Sequence, residues 1–137
     1  VEMVRKEGGD RALDVAHDGA AQIADRAVLL ELAATGVRLE YDLFGLETSY
    51  YPYNPAFDMP NDGERMRQVL LLIERGHLYQ LLLSHDIAYK HCLTRWGGFG
   101  YHHLLVNVVP RLRDRGADDR TVEALLVDNP RRAFAYA

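Results

Sequence analysis

The sequence predicts an α/β fold with a parallel sheet. Short apolar runs suited to strands alternate along the chain with segments whose apolar residues follow helical spacing, a pattern typical of strand–helix–strand units. One run contains three consecutive leucines, Leu81 to Leu83, which indicates a strand buried on both faces, as parallel strands covered by helices are. We therefore expect right-handed crossover connections between neighbouring strands.

The first half of the chain predicts two strands, one helix and a long loop. The first strand covers 12–17, and Asp25 then caps a helix. The apolar positions of this helix are Val28, Leu29, Leu32 and Ala33. The segment from Val37 to Phe44 alternates apolar and polar residues, as a half-buried strand does. Residues 45–62 are rich in Tyr, Pro and Asn without periodicity, and we expect a loop that is functional or disordered.

The second half continues the pattern. Asn61 and Glu64 have the spacing of a capping box and open a helix that ends near Gly76. The segment "YQLLLSHD" predicts the third strand, and the loop "RWGGFGYHH" follows it. The glycines of this loop lack the spacing of a phosphate-binding motif, so tight turns are the favoured reason for them.

Two further helices are predicted after that loop. The first carries an apolar stripe formed by Leu104, Leu105, Val108, Val109 and Leu112. Pro110 either breaks or kinks this helix, or begins a second helical piece. The last helix is expected from Asp118 or Asp119 to about Val127, and Asn129-Pro130 should end it.

Composition excludes several classes of protein. The 137 residues suit one domain, 48% of them are hydrophobic, and 16 basic against 20 acidic residues give a formal charge of −4. Because the basic side chains are spread among acidic ones, nucleic acid is not an expected partner. The single cysteine, Cys92, cannot form an internal disulfide and fits a reducing compartment such as the cytoplasm. No apolar run approaches the roughly 20 residues of a membrane span, so no membrane partner is expected either.

Polar residues lie where the predicted strands end. His17 closes the first strand, Asp42 lies near the end of the second, and Asp86 closes the third. Because ligands of parallel α/β proteins bind at the carboxyl ends of the strands, these residues predict a metal or acid–base site. A structural interpretation stays open for each residue. Asp86 would be a carboxylate that accepts backbone N–H groups, and His17 a hydrogen-bonded histidine. For Asp42 the favoured interpretation is a solvated or capping group. His85 should point away from Asp86 and pack against the helices.

Four separated segments carry a family resemblance: "LEYDLFGLE", "DMPNDGERMR", "LLLSHDIAYKHCLTRWGGFGYHHLLVNVVPRLRDRG" and "LLVDNPRR". They resemble the carboxyl-terminal portion of the phosphotriesterase family, near its phosphotriesterase-related branch, within the amidohydrolase superfamily. The resemblance begins at about His17. It implies a TIM-type (β/α)8 barrel in which residues 1–137 supply strands 6 to 8 with their helices, while the first five strands lie upstream.

The resemblance also implies a binuclear metal site, with zinc as the expected metal. Asp86 matches a strand-end carboxylate that ligates one metal ion and accepts a proton, and His17 matches a histidine that ligates the second. The family's other ligands, an His-x-His pair, a carboxylated lysine and a further histidine, would lie upstream of Val1. Two positions depart from the family pattern. From His17 the chain reads "HDGAAQIAD", where relatives read similarly to "HLDRT", and Asp42 is followed by Leu43, where some relatives carry a basic residue.

The loops after the second and third strands match regions that shape the substrate pocket in the family. Their expected wall residues are Tyr50, Tyr51, Arg95, Trp96 and Tyr101. The implied reaction is cleavage of an ester, lactone, N-acyl amide or phosphotriester by metal-activated hydroxide, and the first three are favoured over a phosphotriester. The longer protein could be a homodimer. The alternative is an inactive barrel piece that acts only with another chain, because three strands cut from a barrel expose two sheet edges.

Overall fold

A computed structural model describes residues 3–4, 15–16, 25–51 and 54–135. The strands are β1 (Met3–Val4), β2 (Val15–Ala16), β3 (Arg38–Tyr41), β4 (Tyr50–Tyr51), β5 (Asn54–Asp58) and β6 (Leu81–Leu83). The α-helices are α1 (Arg26–Ala34), α2 (Asp62–Glu74), α3 (Val109–Arg113), α4 (Asp119–Glu123) and α5 (Asn129–Phe134). Two π-helical segments cover Leu104–Val108 and Ala124–Asp128, and 3₁₀ turns cover Leu78–Gln80, Lys90–Cys92 and Thr94–Trp96.

A parallel sheet forms the centre of the described structure, as predicted. Its order is β1-β2-β3-β6, in which β2 is parallel to β3 and β3 is parallel to β6. The register places Leu39 of β3 beside both Ala16 and Leu81. The short strand β1 adds an antiparallel edge that the sequence did not predict. Of the first predicted strand, 12–17, only Val15–Ala16 is described, and the rest lies outside the described residues.

The core lies between this sheet and the helices. Leu39 and Tyr41 are fully buried in β3. In β6, Leu81 and Leu82 are buried, as predicted for the leucine run, while Leu83 is partly buried. Helix α1 contributes Leu29 and Ala33, and α2 contributes Met66, Val69 and Leu72. Apolar burial on both the strands and the helices holds the layers together.

The predicted helix starts at Asp25 and Asn61 are confirmed. The Asp25 side chain accepts a hydrogen bond from the Ala27 N–H at 2.8 Å, and the Asn61 side chain accepts one from the Glu64 N–H at 2.9 Å. These bonds satisfy N–H groups that have no partner within a first helical turn. Helix α2 ends before Gly76, whose φ of +88° is a conformation that favours glycine.

The two prolines begin helical pieces instead of ending them. Each lies within the first two positions of its helix, Pro110 in α3 and Pro130 in α5, directly after a π-helical segment. The missing proline N–H costs little at such a position, and the wider π turn accommodates the ring. The alternative in which Pro110 begins a second piece is therefore confirmed, whereas the prediction that Asn129-Pro130 ends the last helix is wrong.

The region 45–62 contains a hairpin that the sequence did not predict. Strands β4 and β5 pair antiparallel with an irregular register. Most of their residues are exposed, so the apolar alternation that usually marks a strand is missing. Among the described residues, no helix has the length and apolar character needed to cross a membrane.

Candidate functional site

The carboxyl ends of β3 and β6 lie side by side at one edge of the sheet. Beyond the strands, the Ser84 N–H donates to the Tyr41 carbonyl at 2.8 Å, and the Phe44 N–H donates to the Ser84 carbonyl at 3.3 Å. These bonds extend the pairing into the segments that carry Asp42 and Asp86. Two of the three predicted strand-end residues thus share the edge at which parallel sheets bind ligands.

Asp86 follows β6 on a tight turn. Among the described residues it is the one non-glycine residue with a positive φ, +42°, and aspartate is one of the residues best able to adopt this conformation. The Asp86 carbonyl accepts the Ala88 N–H at 2.8 Å. Its side chain is exposed, so the carboxylate at the strand end is open to a ligand.

Asp42 is buried, which contradicts the solvated form of the favoured prediction, while its role as a capping group stays a prediction. Its exposed fraction is 3%. Its negative charge acts on the fully buried guanidinium of Arg65 and favours the charged form of that group.

The Asp62 carboxylate joins the loop after β3 to two helical segments. Its Oδ1 accepts hydrogen bonds from the Gly45 N–H at 3.0 Å and from Arg65 Nη1 at 2.9 Å, and its Oδ2 lies 2.6 Å from His103 Nε2. Asp62 and His103 are each 2% exposed, and Arg65 is completely buried. Paired charges with several hydrogen bonds are the form in which ionised groups occur in protein interiors.

Further hydrogen bonds hold the loop against the start of α2. Arg65 Nη2 donates to the Leu46 carbonyl at 3.1 Å, and the Asp62 N–H donates to Glu47 Oε1 at 2.9 Å. Burial raises the pKa of Asp62, but the hydrogen bonds from Gly45 and His103 together with the Arg65 charge outweigh it and lower this pKa below its ordinary value. Asp62 is therefore a carboxylate at neutral pH.

The tautomer of His103 follows from its partners. A carboxylate only accepts, so Nε2 carries the proton that Asp62 binds, and in the neutral ring Nδ1 accepts from Asn107 Nδ2 at 2.9 Å. The Phe99 ring lies 4.3 Å from the His103 ring, measured between centroids. Both ring nitrogens and one face of the imidazole are thus engaged by the surrounding chain.

His85 links Asp86 to the helical segment after the loop. Its Nε2 accepts the Leu104 N–H at 3.2 Å, which confirms that His85 packs against a helix. Burial and the neighbouring His103 lower the pKa of His85, and this favours the neutral ring that can accept the bond.

A groove of about 660 Å³ opens beside the buried polar residues. Its lining includes Asp62, His103 and Asn107, and the arginines Arg67 and Arg111 also contribute. Asp62 and His103, which hydrogen-bond to each other, therefore both contribute to the wall of this groove.

Comparison with known proteins identifies the family. The model of the phosphotriesterase family matches residues 2–134. The chain belongs to the phosphotriesterase family. It is 42% identical over 136 residues to the N-acetyltaurine hydrolase of Tetraodon nigroviridis, a match that covers 99% of this chain and 39% of that protein. It is 48% identical over 114 residues to a phosphotriesterase-related protein of Drosophila mojavensis, covering 83% of this chain and 33% of that protein.

Solved structures of the phosphotriesterase family have the same fold over the shared part. A resiniferatoxin-binding protein from Rhodobacter sphaeroides matches with a TM-score of 0.75 and 41% identity, over 80% of this chain and 30% of that one. The phosphotriesterase homology protein from Escherichia coli, complexed with phosphate in its active site, matches with a TM-score of 0.68 and 30% identity, over 81% of this chain and 35% of that one. These relatives are α/β barrels, and this chain spans about two-fifths or less of their lengths.

The family generally uses two metal ions. The described residues fit such a site as part of its ligand set. Asp86 supplies an exposed carboxylate, which is a suitable ligand for zinc or a similar divalent ion. His17, the second predicted ligand, lies outside the described residues. Within the described ranges, no group of three or more His, Cys, Asp and Glu residues could hold a metal ion.

The predicted wall residues lie on the two loops after β3 and β6. Tyr50 and Tyr51 belong to β4, where Tyr50 is 52% exposed and Tyr51 packs partly against the core. Arg95, Trp96 and Tyr101 lie on the loop after β6, and all are exposed. Their role as a pocket wall stays a prediction.

Sequence reasoning missed the buried residues Asp62, Arg65 and His103. A signal for the first two was present: Asp62, Arg65, Val69 and Leu72 share one stripe of α2, so charged residues occupy a face that packs inward. No comparable signal marks His103, which meets Asp62 across 41 positions of sequence.

Proposed function

We propose that this chain is the carboxyl-terminal part of a metal-dependent hydrolase that cleaves small N-acyl amides carrying a negatively charged group. The observation that supports the proposal most is the exposed carboxylate of Asp86 at the carboxyl edge of a parallel sheet, in a chain of the phosphotriesterase family. In this proposal residues 1–137 supply the last three strands of the barrel, and the other metal ligands come from upstream residues.

Asp86 has two tasks in this proposal. It would help to hold a divalent metal ion, and its carboxylate would accept the proton that water loses on attacking the substrate carbonyl. The metal ions, zinc in our proposal, lower the pKa of water and polarise the scissile carbonyl when they are bound. The hydrogen bonds that continue β3 and β6 past their ends keep the Asp86 turn beside the core. His17 is proposed as a second metal ligand.

The charge of the loop after β6 supports an anionic substrate. Between residues 87 and 113 the sequence contains no Asp or Glu, while Lys90 and Arg95 lie over the Trp96 ring, with Lys90 Nζ 4.9 Å and Arg95 Cζ 5.7 Å from its centroid. Several relatives are named N-acetyltaurine hydrolases, and the sulfonate of such a substrate is a partner for ammonium or guanidinium groups. Neutral esters, lactones and phosphotriesters lack this group.

One experiment tests the proposal directly. The longest natural chain that contains these residues is purified, its metal content is measured by elemental analysis, and hydrolysis of N-acetyltaurine is followed. We expect about two metal ions per chain, in line with a binuclear hydrolytic centre. In Asp86→Ala, metal content and activity should both fall, whereas the exposed control Asp114→Ala should retain both. Full metal content and activity in Asp86→Ala would contradict the role of Asp86.

A second candidate function rests on the β6 edge of the described sheet. Strand β6 is the last strand of the described sheet and covers only Leu81–Leu83, two of which are buried. An edge strand can pair with another chain. If the residues 1–137 alone bind no metal and form stable complexes with an upstream fragment, we would instead assign this chain a role as an inactive barrel piece that works by association.

A further inference from the structure

Two loops that follow parallel strands meet at one buried pair of side chains, Asp62 and His103. The loop after β3 is held from one side, because the Gly45 N–H donates to Asp62 Oδ1 at 3.0 Å and Glu47 accepts the Asp62 N–H at 2.9 Å. This loop carries the hairpin that contains Tyr50. Asp62 therefore fixes the base of that hairpin.

The loop after β6 is held from the other side by His103. Its Nε2 lies 2.6 Å from Asp62 Oδ2. The next residue, Leu104, donates its N–H to His85 at 3.2 Å, and His85 precedes Asp86 in the chain. The hydrogen bond between His103 and Asp62 thus connects the turn of Asp86 to the loop after β3.

Close packing makes this connection sensitive to small changes. Gly45 has a φ of +90°, and a Cβ at this position would lie 3.2 Å from His103 Cδ2 and 3.3 Å from Phe99 Cβ. The Phe99 ring in turn covers the imidazole. Since protein interiors are close-packed, a change in the position of His103 is transmitted to both loops.

We infer that His103 and Asp62 form a positioning pair, which sets the distance and orientation between the two loops that bind the substrate around Asp86. This inference rests on the proposed function, because it gives the loops their role. His103 does not touch the reacting atoms in this arrangement; it acts through Asp62, Gly45 and Leu104. Loops held in a fixed relative position lose less entropy when they bind a small substrate.

The test compares three variants of the longest natural chain. His103→Leu removes the donor to Asp62, whereas His103→Gln keeps an amide N–H that can donate to Asp62 and an oxygen that can accept from Asn107. The matched control is Gln80→Leu, which removes hydrogen bonds of 3.0 and 3.1 Å to the Ala33 and Val37 carbonyls at the opposite end of the strands.

Hydrogen–deuterium exchange gives a result that does not depend on activity. In His103→Leu, we expect amides in 43–49 and 84–92 to exchange about tenfold faster, because a buried hydrogen bond that joins the segments is lost. His103→Gln should return both segments to within about twofold of the natural chain. Gln80→Leu should leave both unchanged. Equal acceleration in Gln80→Leu, or no acceleration in His103→Leu, would overturn the inference.

Kinetics with N-acetyltaurine separates positioning from general stability. For His103→Leu we expect KM to rise about tenfold while kcat falls by less than about threefold, since substrate contacts are displaced while Asp86 stays at the end of β6. His103→Gln should restore KM, and Gln80→Leu should change neither constant.

Two further outcomes are distinguishable. If the natural chain hydrolyses no N-acyl amide, the proposed function fails, while the exchange measurement still decides whether the pair couples the loops. If His103→Leu does not fold, Asn107→Leu replaces it, because it removes the hydrogen bond to His103 Nδ1 and leaves the His103 side chain in place. Its expected effect is about threefold faster exchange in the same two segments, and unchanged exchange there would overturn the inference.

Discussion

Removing the charge of Asp62 should strongly destabilise the protein. The Asp62→Asn variant leaves the Arg65 guanidinium, which is completely buried, without its direct partner at 2.9 Å. Loss of one member of a buried ion pair typically costs about 3–5 kcal/mol. Because Glu47 and Asp42 still act on the Arg65 charge, we expect a value near the lower limit, about 3 kcal/mol in the free energy of unfolding.

Urea unfolding of the longest natural chain measures this difference. The control is Asp119→Asn, which breaks the exposed pair with Arg113 and should cost less than about 1 kcal/mol. The double variant Asp62→Asn with Arg65→Met removes both buried charges, and we expect it to be more stable than the sum of the single changes by at least about 1.5 kcal/mol.

Two results would refute this reasoning. A cost below about 1 kcal/mol for Asp62→Asn would mean that the buried Arg65 does not depend on this carboxylate. Additive effects in the double variant would mean that the two side chains do not stabilise each other. Either result would also remove the basis for treating Asp62 as the residue that anchors the loop after β3.

Three further changes have defined outcomes. Gly45→Ala should cost about 2–3 kcal/mol in urea unfolding, because a positive φ and close contact with His103 both oppose a Cβ, whereas Gly36→Ala, which has open space, should cost about 1 kcal/mol. Because the pKa of Asp62 is lower in the folded than in the unfolded chain, its ionisation stabilises the fold. This contribution is complete above the unfolded pKa of about 4 and is lost as the pH falls through the folded pKa. Acid unfolding of Asp62→Asn should lack this component. Asn129→Ala should cost about 2 kcal/mol, because its amide donates to two carbonyls beside β6, at 2.8 and 2.9 Å.

Each of these has a result that would contradict it. Equal costs for the two glycine variants would show that the contact with His103 is not tight. The same acid response in Asp62→Asn and the natural chain would assign the pH dependence to other carboxylates. For Asn129, the exposed Asn54→Ala is the control, and a similar small change in both would show that the amide does not hold the start of β6.

The sequence by itself determined the features that depend on neighbouring residues. The parallel α/β pattern, the starts of α1 and α2 at Asp25 and Asn61, and the location of Asp86 just after a buried strand follow from periodicity and capping, which act over a few positions. The family resemblance follows from separated segments that occur in the order of the family, and the match over residues 2–134 confirms it.

Only the tertiary structure decided the features that depend on distant residues. Asp42 is buried and its charge acts on Arg65 of α2, and His103 meets Asp62 across 41 positions, so neither outcome is encoded in local spacing. Pro130 begins a helix because the preceding turn widens into a π-helical segment, whereas local rules treat proline as a helix stop. Burial and pairing of charges depend on which elements pack together, and that is a property of the folded chain.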